Sequence, residues 1–396
     1  METTYSSEKE GLYNCPFFQA WLKSHKVFVL KSAFVFGANA SWKSNLLAAI
    51  RYMDMKVEKS HDMDFLRKTR QNPFKLSSST LNKPSFFEMI FSSEKNVYRY
   101  NFEILWENII SENLFQIWTK DSSTKQLLSR VKQEIEVFNK FSNENTKSLI
   151  KNNQTSSTAL FISVAQNFNE KIAKEVTNFY RKSLRSIDVM NQNGSYTKQR
   201  IQKDPQFKNE VLKFLNQIDI PVKNLRVDEK SFPIWLIEQM PQLKDEKMQT
   251  IQFEHDVYED DKIVDSVWLD EWDESEGTRT LLNILWPILL TLHEWWILLI
   301  DEFNSSLHAH LCDFIIQKIQ NSNYNKNNAQ FILATHDTNI LSNLELTKDQ
   351  IWFTERDRYG ATNLFSLSDF EIRNWDKNYQ TKYLNGRFGA VPFIRN

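Results

Sequence analysis

Glycine is nearly missing, at 7 of 396 residues, where ordinary usage of about 7% leads to about 28. Tryptophan, normally far rarer, outnumbers it at 12. The chain is therefore short of the residue that tight turns and close backbone approaches use. Cysteine is scarce too: Cys15 and Cys312 make neither a disulfide framework nor a zinc site, so a reducing cytoplasm is the expected location. Neither sign of charge dominates. Lys plus Arg number 49 against 50 Asp plus Glu, which excludes a global field that gathers nucleic acid or anionic lipid and leaves only local patches. The start, METTYSSEKEGLYNC, is polar and acidic, unlike a secretory leader. The longest apolar stretch, Leu281–Ile300, is broken by Asn283, Pro287, His293 and Glu294, and reads as a buried helix followed by a buried strand rather than a membrane span.

The remaining composition, 41% hydrophobic and 25% charged, is that of a globular chain with enough mass for one large or two moderate domains. Three regions are expected, 1–119, 120–245 and 246–396. Within the first, 26–119 is strand-rich: VFVLKSAFVFG runs into a helix, and SFFEMIF and VYRYNFEIL flank a polar turn as a hairpin. The second is rich in Lys, Asn, Gln, Ser and Glu with helical spacing, as in LLSRVKQEIEVFNKF and VLKFLNQI, and reads as a helical insertion. In the third, strands and helices alternate through MQTIQFEHDVY, the Leu-rich helix, ILLIDE, LHAHLCDFIIQKIQ, AQFILATH and QIWFTER. That alternation predicts an α/β fold with a mostly parallel sheet covered on both faces.

Three motifs and one polar turn carry the candidate chemistry. Gly37-Ala38-Asn39-Ala40-Ser41-Trp42-Lys43-Ser44, followed by Asn45, lies between an apolar strand and a helix and fits seven of eight positions of GxxxxGK[ST]; only Trp42 departs. In such a loop backbone N–H groups at a helix N-terminus cradle phosphate, Lys reaches the terminal phosphates and Ser binds Mg²⁺. A chance strand–turn–helix carrying a lysine is the alternative. Ile297–Ile300 ends in Asp301 and Glu302, a buried strand delivering two acids to the edge where α/β proteins bind ligands. Asp301 suits a Mg²⁺ shell and Glu302 suits orienting and deprotonating water. Phe331–Thr335 then delivers His336, which suits contact with a γ-phosphate, a structural histidine being the alternative. Ahead of the Leu-rich helix, Ser275 and Gly277 in ESEGT form either a plain helix cap or a second set of phosphate-directed N–H groups.

The ordered set GANAS(x)KSN, ESEGT, ILLIDEFNSSLHAHL, ATHDTNIL and YLNGRFGAVPFI resembles the ABC-type AAA ATPases of bacterial abortive-infection and anti-phage systems, cousins of SMC, RecF and OLD ATPase heads. The resemblance covers Val27–Thr119 and Gln249–Ile394. It implies a P-loop NTPase fold with an ABC-type mostly parallel sheet, an antiparallel β subdomain and a helical insertion. It further implies ATP and Mg²⁺ held in a head-to-tail homodimer between one subunit's Gly37–Asn45 loop and the other's Ser275 and Gly277. Lys43 and Ser44 then bind phosphate and Mg²⁺, Asp301 is the acidic metal partner, Glu302 the catalytic base, Asn304–His308 a dimer-facing loop and His336 the switch histidine. Gln71 is the candidate Q-loop residue. Relatives carry an extra strand ahead of the loop that the residues before Val27 do not match, so a displaced or truncated start is expected.

Four tryptophans, Trp42, Trp286, Trp295 and Trp296, stand where these relatives have glycine. Their coincidence with the glycine shortage suggests UGA codons written as tryptophan but read as glycine in the source. An indole at Trp42 claims room beside the β-phosphate, so the literal chain should bind ATP poorly. A degenerate pseudo-ATPase scaffold is the alternative. In function, the resemblance implies a nucleotide-gated dimer in anti-phage defence controlling a separate nuclease or toxin effector. A DNA-repair head of the RecF or SMC type is the competing reading; it predicts that Arg181, Lys182, Arg185, Lys198, Arg200 and Lys203 face phosphate.

Overall fold

The computed structural model describes residues 2–4, 27–38, 43–62, 73–93, 96–117, 124–187, 195–232, 234–245, 247–294, 297–304, 307–343, 345–372 and 378–391. In chain order, β1 (Glu2–Thr4), β2 (Val27–Val29) and β3 (Ser32–Phe36) lead to α1 (Lys43–Lys59). There follow β4 (Ser85–Ser93), β5 (Asn96–Leu105), β6 (Asn108–Ile117), β7 (Thr124–Val131) and β8 (Glu134–Val137). Next come α2 (Glu144–Lys151), α3 (Phe161–Asn167), α4 (Lys171–Ser183), β9 (Leu184–Ile187), α5 (Ser195–Lys203) and α6 (Pro205–Gln217). The chain continues through β10 (Asn224–Ser231), α7 (Ile234–Gln239), β11 (Lys247–Glu259), β12 (Lys262–Asp270) and α8 (Glu276–Glu294). It closes with β13 (Ile297–Ile300), α9 (Ala309–Gln320), β14 (Gln330–Ala334), β15 (Ile351–Arg356), β16 (Thr362–Ser366) and α10 (Tyr379–Leu384).

The central sheet has six strands in the order β16-β15-β3-β14-β13-β9. Every neighbouring pair is parallel except β15 with β16. All five residues of β3 are buried, which explains the apolar run from Ala33 to Phe36: a strand covered on both faces has no polar alternation to show. Ile300 pairs with Leu333 and Ala334 pairs with Val35. The residues that follow β3, β13 and β14 thus leave the sheet at one C-terminal edge. The Leu-rich run forms α8 and β13 as expected, and among the described residues no helix is long and apolar enough to cross a membrane.

A second sheet, β4 to β8, is an antiparallel meander, and the expected hairpin is its first pair. Here the helical reading of LLSRVKQEIEVFNKF fails. Those residues form β7 and β8, with Leu128 opposite Val137 across a turn at Lys132, whose φ is 55°. The apolar spacing of Leu127, Leu128, Val131 and Ile135 fits a helical period, but tertiary pairing overrides it. Arg130 and Glu112 are opposite one another, fully buried, with Nη1 3.4 Å from Oε2. Glu112 also accepts the amide protons of Phe161 (2.7 Å) and Ile162 (3.0 Å) and the Tyr100 hydroxyl (2.9 Å), which bolts the meander to the start of α3. The 120–245 region holds two further strands: β9 is a member of the central sheet, and β10 pairs with β11. It therefore combines helices with four strands.

The glycine shortage is met in part by other residues. Among the described residues eleven non-glycine positions have positive φ, and seven of them are Asn or Asp, the side chains that tolerate the left-handed region best. Trp106 is an exception: it turns between β5 and β6 at φ 57° with its indole about half exposed. Trp286 is buried in the central core, one residue before Pro287 in α8. Trp352 lies in β15 and gives its indole N–H to the Asp349 carbonyl (2.9 Å). Cys312 is a free, buried thiol on α9, pushed up to about 12 by burial.

Candidate functional site

The shared edge of the central sheet collects Gly37, Lys43, Asp301, Glu302 and His336. Gly37 and Ala38 follow β3, and Lys43 opens α1 with only 5% of its surface exposed. Its ammonium donates to the carbonyls of Gly37 (2.8 Å) and Ala38 (3.5 Å) and lies 3.1 Å from His336 Nδ1. A protonated lysine has only donors to offer, so His336 accepts through Nδ1 and carries its proton on Nε2. Two backbone bonds beyond the strands fasten this edge, Thr335 N–H to the Val35 carbonyl and Phe303 N–H to the Ala334 carbonyl, both 3.0 Å. The Thr335 hydroxyl adds a 2.5 Å bond to Asn304 Oδ1.

The acids act on Lys43 through the field. Burial pushes its ammonium down to about 8, while Asp301 and then Glu302 pull the other way. His336 is lowered by burial and by Lys43, against the opposing pull of Glu302 and Asp301. Asp301 is half-buried and its Oδ1 accepts the Glu302 amide proton (3.1 Å). Glu302 is exposed and sits at φ 53°, a conformation costing about 1–2 kcal/mol for an L-residue and concentrated at functional sites. Among the described residues no three His, Cys, Asp or Glu are grouped to hold a metal.

Ser44 and Asn45 are exposed on the first turn of α1. Asn39, Ala40, Ser41 and Trp42, with Gln71, Trp295 and Trp296, lie outside the described residues. Ser275 accepts the Thr278 amide proton through Oγ (3.1 Å), the helix-cap arrangement that is one of the two readings of ESEGT. Gly277 is exposed, and a Cβ there would meet only Ser275 Oγ at 3.8 Å.

Sequence reasoning missed the C-terminal contribution. The Ala38 amide donates to the Ala390 carbonyl (3.0 Å), which also accepts the Tyr383 hydroxyl (2.9 Å). A signal was present: Gly386 and Gly389, two of the chain's seven glycines, stand three residues apart and both have positive φ.

No curated protein matches the chain. Among solved structures, the SMC head domain from Thermotoga maritima aligns with a TM-score of 0.38 and 11% identity, over 86% of this chain and 90% of that one, a likeness too distant to assign anything by itself. A family model described as "AAA domain, putative AbiEii toxin, Type IV TA system" matches residues 32–342, which spans β3, the acidic strand and the His336 turn. The chain belongs to that AAA-domain family.

Proposed function

We propose that this edge binds ATP with Mg²⁺ and hydrolyses it. The observation that carries the reading is Lys43: a buried ammonium held on main-chain carbonyls at the head of a helix, in the field of two acids from another strand. Buried lysines without a full counter-charge are costly, and a triphosphate is the ligand that repays this one. Lys43 turns from the carbonyls to the β- and γ-oxygens, and the α1 N-terminus adds its partial positive charge. The Ser44 hydroxyl and the Asp301 carboxylate are the oxygen donors that hold Mg²⁺, which neutralises phosphate charge when bound. Glu302 orients a water and takes its proton, and His336 offers its Nε2 proton to the γ-phosphate.

In the same reading a second copy supplies Ser275 and Gly277 across a head-to-tail dimer, with Asn304–His308 facing it. Nucleotide state then gates a separate nuclease or toxin in defence against phage or mobile DNA. An effector protein is favoured over DNA as the partner because three of the basic residues named for a DNA groove are engaged with carboxylates, among them Arg181 with Glu58 (3.3 Å). Lys198 bonds Glu271 (2.8 Å) and Arg200 bonds Asp204 (2.9 Å) and Glu294 (3.1 Å).

The test compares Trp42→Gly with the Trp42→Gly, Glu302→Gln double variant. Turnover in the first, and ATP-induced dimers without turnover in the second, are expected by phosphate release and light scattering. Absence of ATP binding in both overturns the reading.

A further inference from the structure

The peptide unit between Gly37 and Ala38 is held at both ends. Its carbonyl accepts from Lys43 Nζ (2.8 Å) and its N–H donates to the Ala390 carbonyl (3.0 Å). A peptide is planar, so fixing the N–H fixes the direction of the C=O. The Ala390 carbonyl is itself pinned by the Tyr383 hydroxyl (2.9 Å), and the Ala390 N–H donates to Glu355 Oε1 (3.2 Å). Ala390 adopts φ 57° and Gly389 φ 66°; a Cβ on Gly389 would stand 3.1 Å from Glu355 Oε1. The turn is thus shaped to fit beneath this carboxylate. Tyr383 is stacked on Phe353, with ring centroids 5.3 Å apart and planes at 12°, so its hydroxyl is delivered from a rigid platform. The same segment reaches the other side of the site: Gln380 bonds Ser342 (2.7 Å) and Asn339 (3.0 Å), in the turn that follows His336.

We infer that the C-terminal segment Tyr379–Ala390 is a clasp that orients the Gly37–Ala38 peptide, and through it Lys43, with Tyr383 and Glu355 as positioning residues. The clasp rests on the ATP reading for its purpose, but its geometry is measurable without nucleotide. Two elements that are far apart in sequence, the phosphate loop and the His336 turn, share one anchor. Loosening that anchor frees the peptide to rotate and lets Lys43 spread over other rotamers, so that ATP must first gather it again, which weakens binding without touching the acids.

The experiment uses Ala390→Pro, which cannot adopt φ 57° and loses the N–H given to Glu355, beside Ala390→Gly, which keeps both. Amide hydrogen exchange is followed by mass spectrometry in the Trp42→Gly chain, and ATP–Mg²⁺ affinity by titration. Expected for Ala390→Pro are at least tenfold faster exchange at Ala38, unchanged exchange within Ser32–Phe36, and at least tenfold weaker ATP binding. Ala390→Gly should restore both. A folded Ala390→Pro with Ala38 protection unchanged overturns the clasp. If Ala390→Pro does not fold, Tyr383→Phe takes its place, since it removes one hydroxyl from a ring that stays stacked. Exchange at Ala38 about threefold faster then supports the clasp, and unchanged exchange overturns it. If no version binds ATP yet Ala38 exchange responds, the clasp stands and the ATP reading falls.

Discussion

Raising the pH should dismantle nucleotide binding earlier than an ordinary lysine allows. In the free protein the Lys43 ammonium sits at about 8, pushed down by burial. A bound triphosphate surrounds it with negative charge and raises it again. The protonated form is therefore the binding form: affinity is full well below 8 and is lost as pH climbs through 8. The protonated fraction falls from about three-quarters at pH 7.5 to about one-tenth at pH 9, an eightfold loss of affinity worth ~1.2 kcal/mol. A lysine at its usual value near 10.4 would lose only a few per cent over the same range. Calorimetric titration of ATP–Mg²⁺ into the Trp42→Gly chain reads the slope directly. The Lys43→Arg variant, charged throughout, should bind with a flat profile. Constant affinity between pH 7.5 and 9, or an equal slope in Lys43→Arg, refutes the placement of this ammonium.

Removing the guanidinium from the buried Arg130–Glu112 pair, as in Arg130→Met, leaves a carboxylate without its cation and should cost about 3 kcal/mol, the low end for such pairs because Glu112 keeps three other donors; urea melts measure it, and a cost below ~1 kcal/mol disproves the account. At Trp106, replacement by Gly relieves a left-handed residue whose indole is half exposed and should stabilise the chain by about 1 kcal/mol, read in the same melts; destabilisation contradicts it. Intact-protein and peptide mass spectrometry of the natural product should report glycine at position 42; tryptophan there ends the UGA reading. Glu302→Gln in the Trp42→Gly background should cut turnover at least a hundredfold with ATP affinity within threefold; equal losses in both would mean that Glu302 serves binding.

Much of the site was legible because its residues sit at strand ends. A fully buried parallel strand announces itself as an apolar run, and the residues just after it must lie at one edge of the sheet; Gly37, Asp301 and His336 are legible in this way. What escaped shares one cause: the partner is remote in sequence. The buried Arg130 reads as a surface charge until Glu112 is set opposite it, and β7 and β8 read as helix because their apolar residues satisfy both periods. Ala390 contributes only a carbonyl, which no side-chain pattern encodes. The left-handed Asn and Asp turns were equally hidden, since those residues are as common in ordinary loops.

β9 comes from the middle of the polymer, yet it is the outer neighbour of the strand that ends in Asp301 and Glu302, with Ile187 paired to Ile300. The central third is consequently no detachable cassette. Excising it, or exchanging it with a relative's, strips the acidic strand of half its ladder and leaves a raw border open to other chains. Any chimera must carry Leu184–Ile187 along with the core.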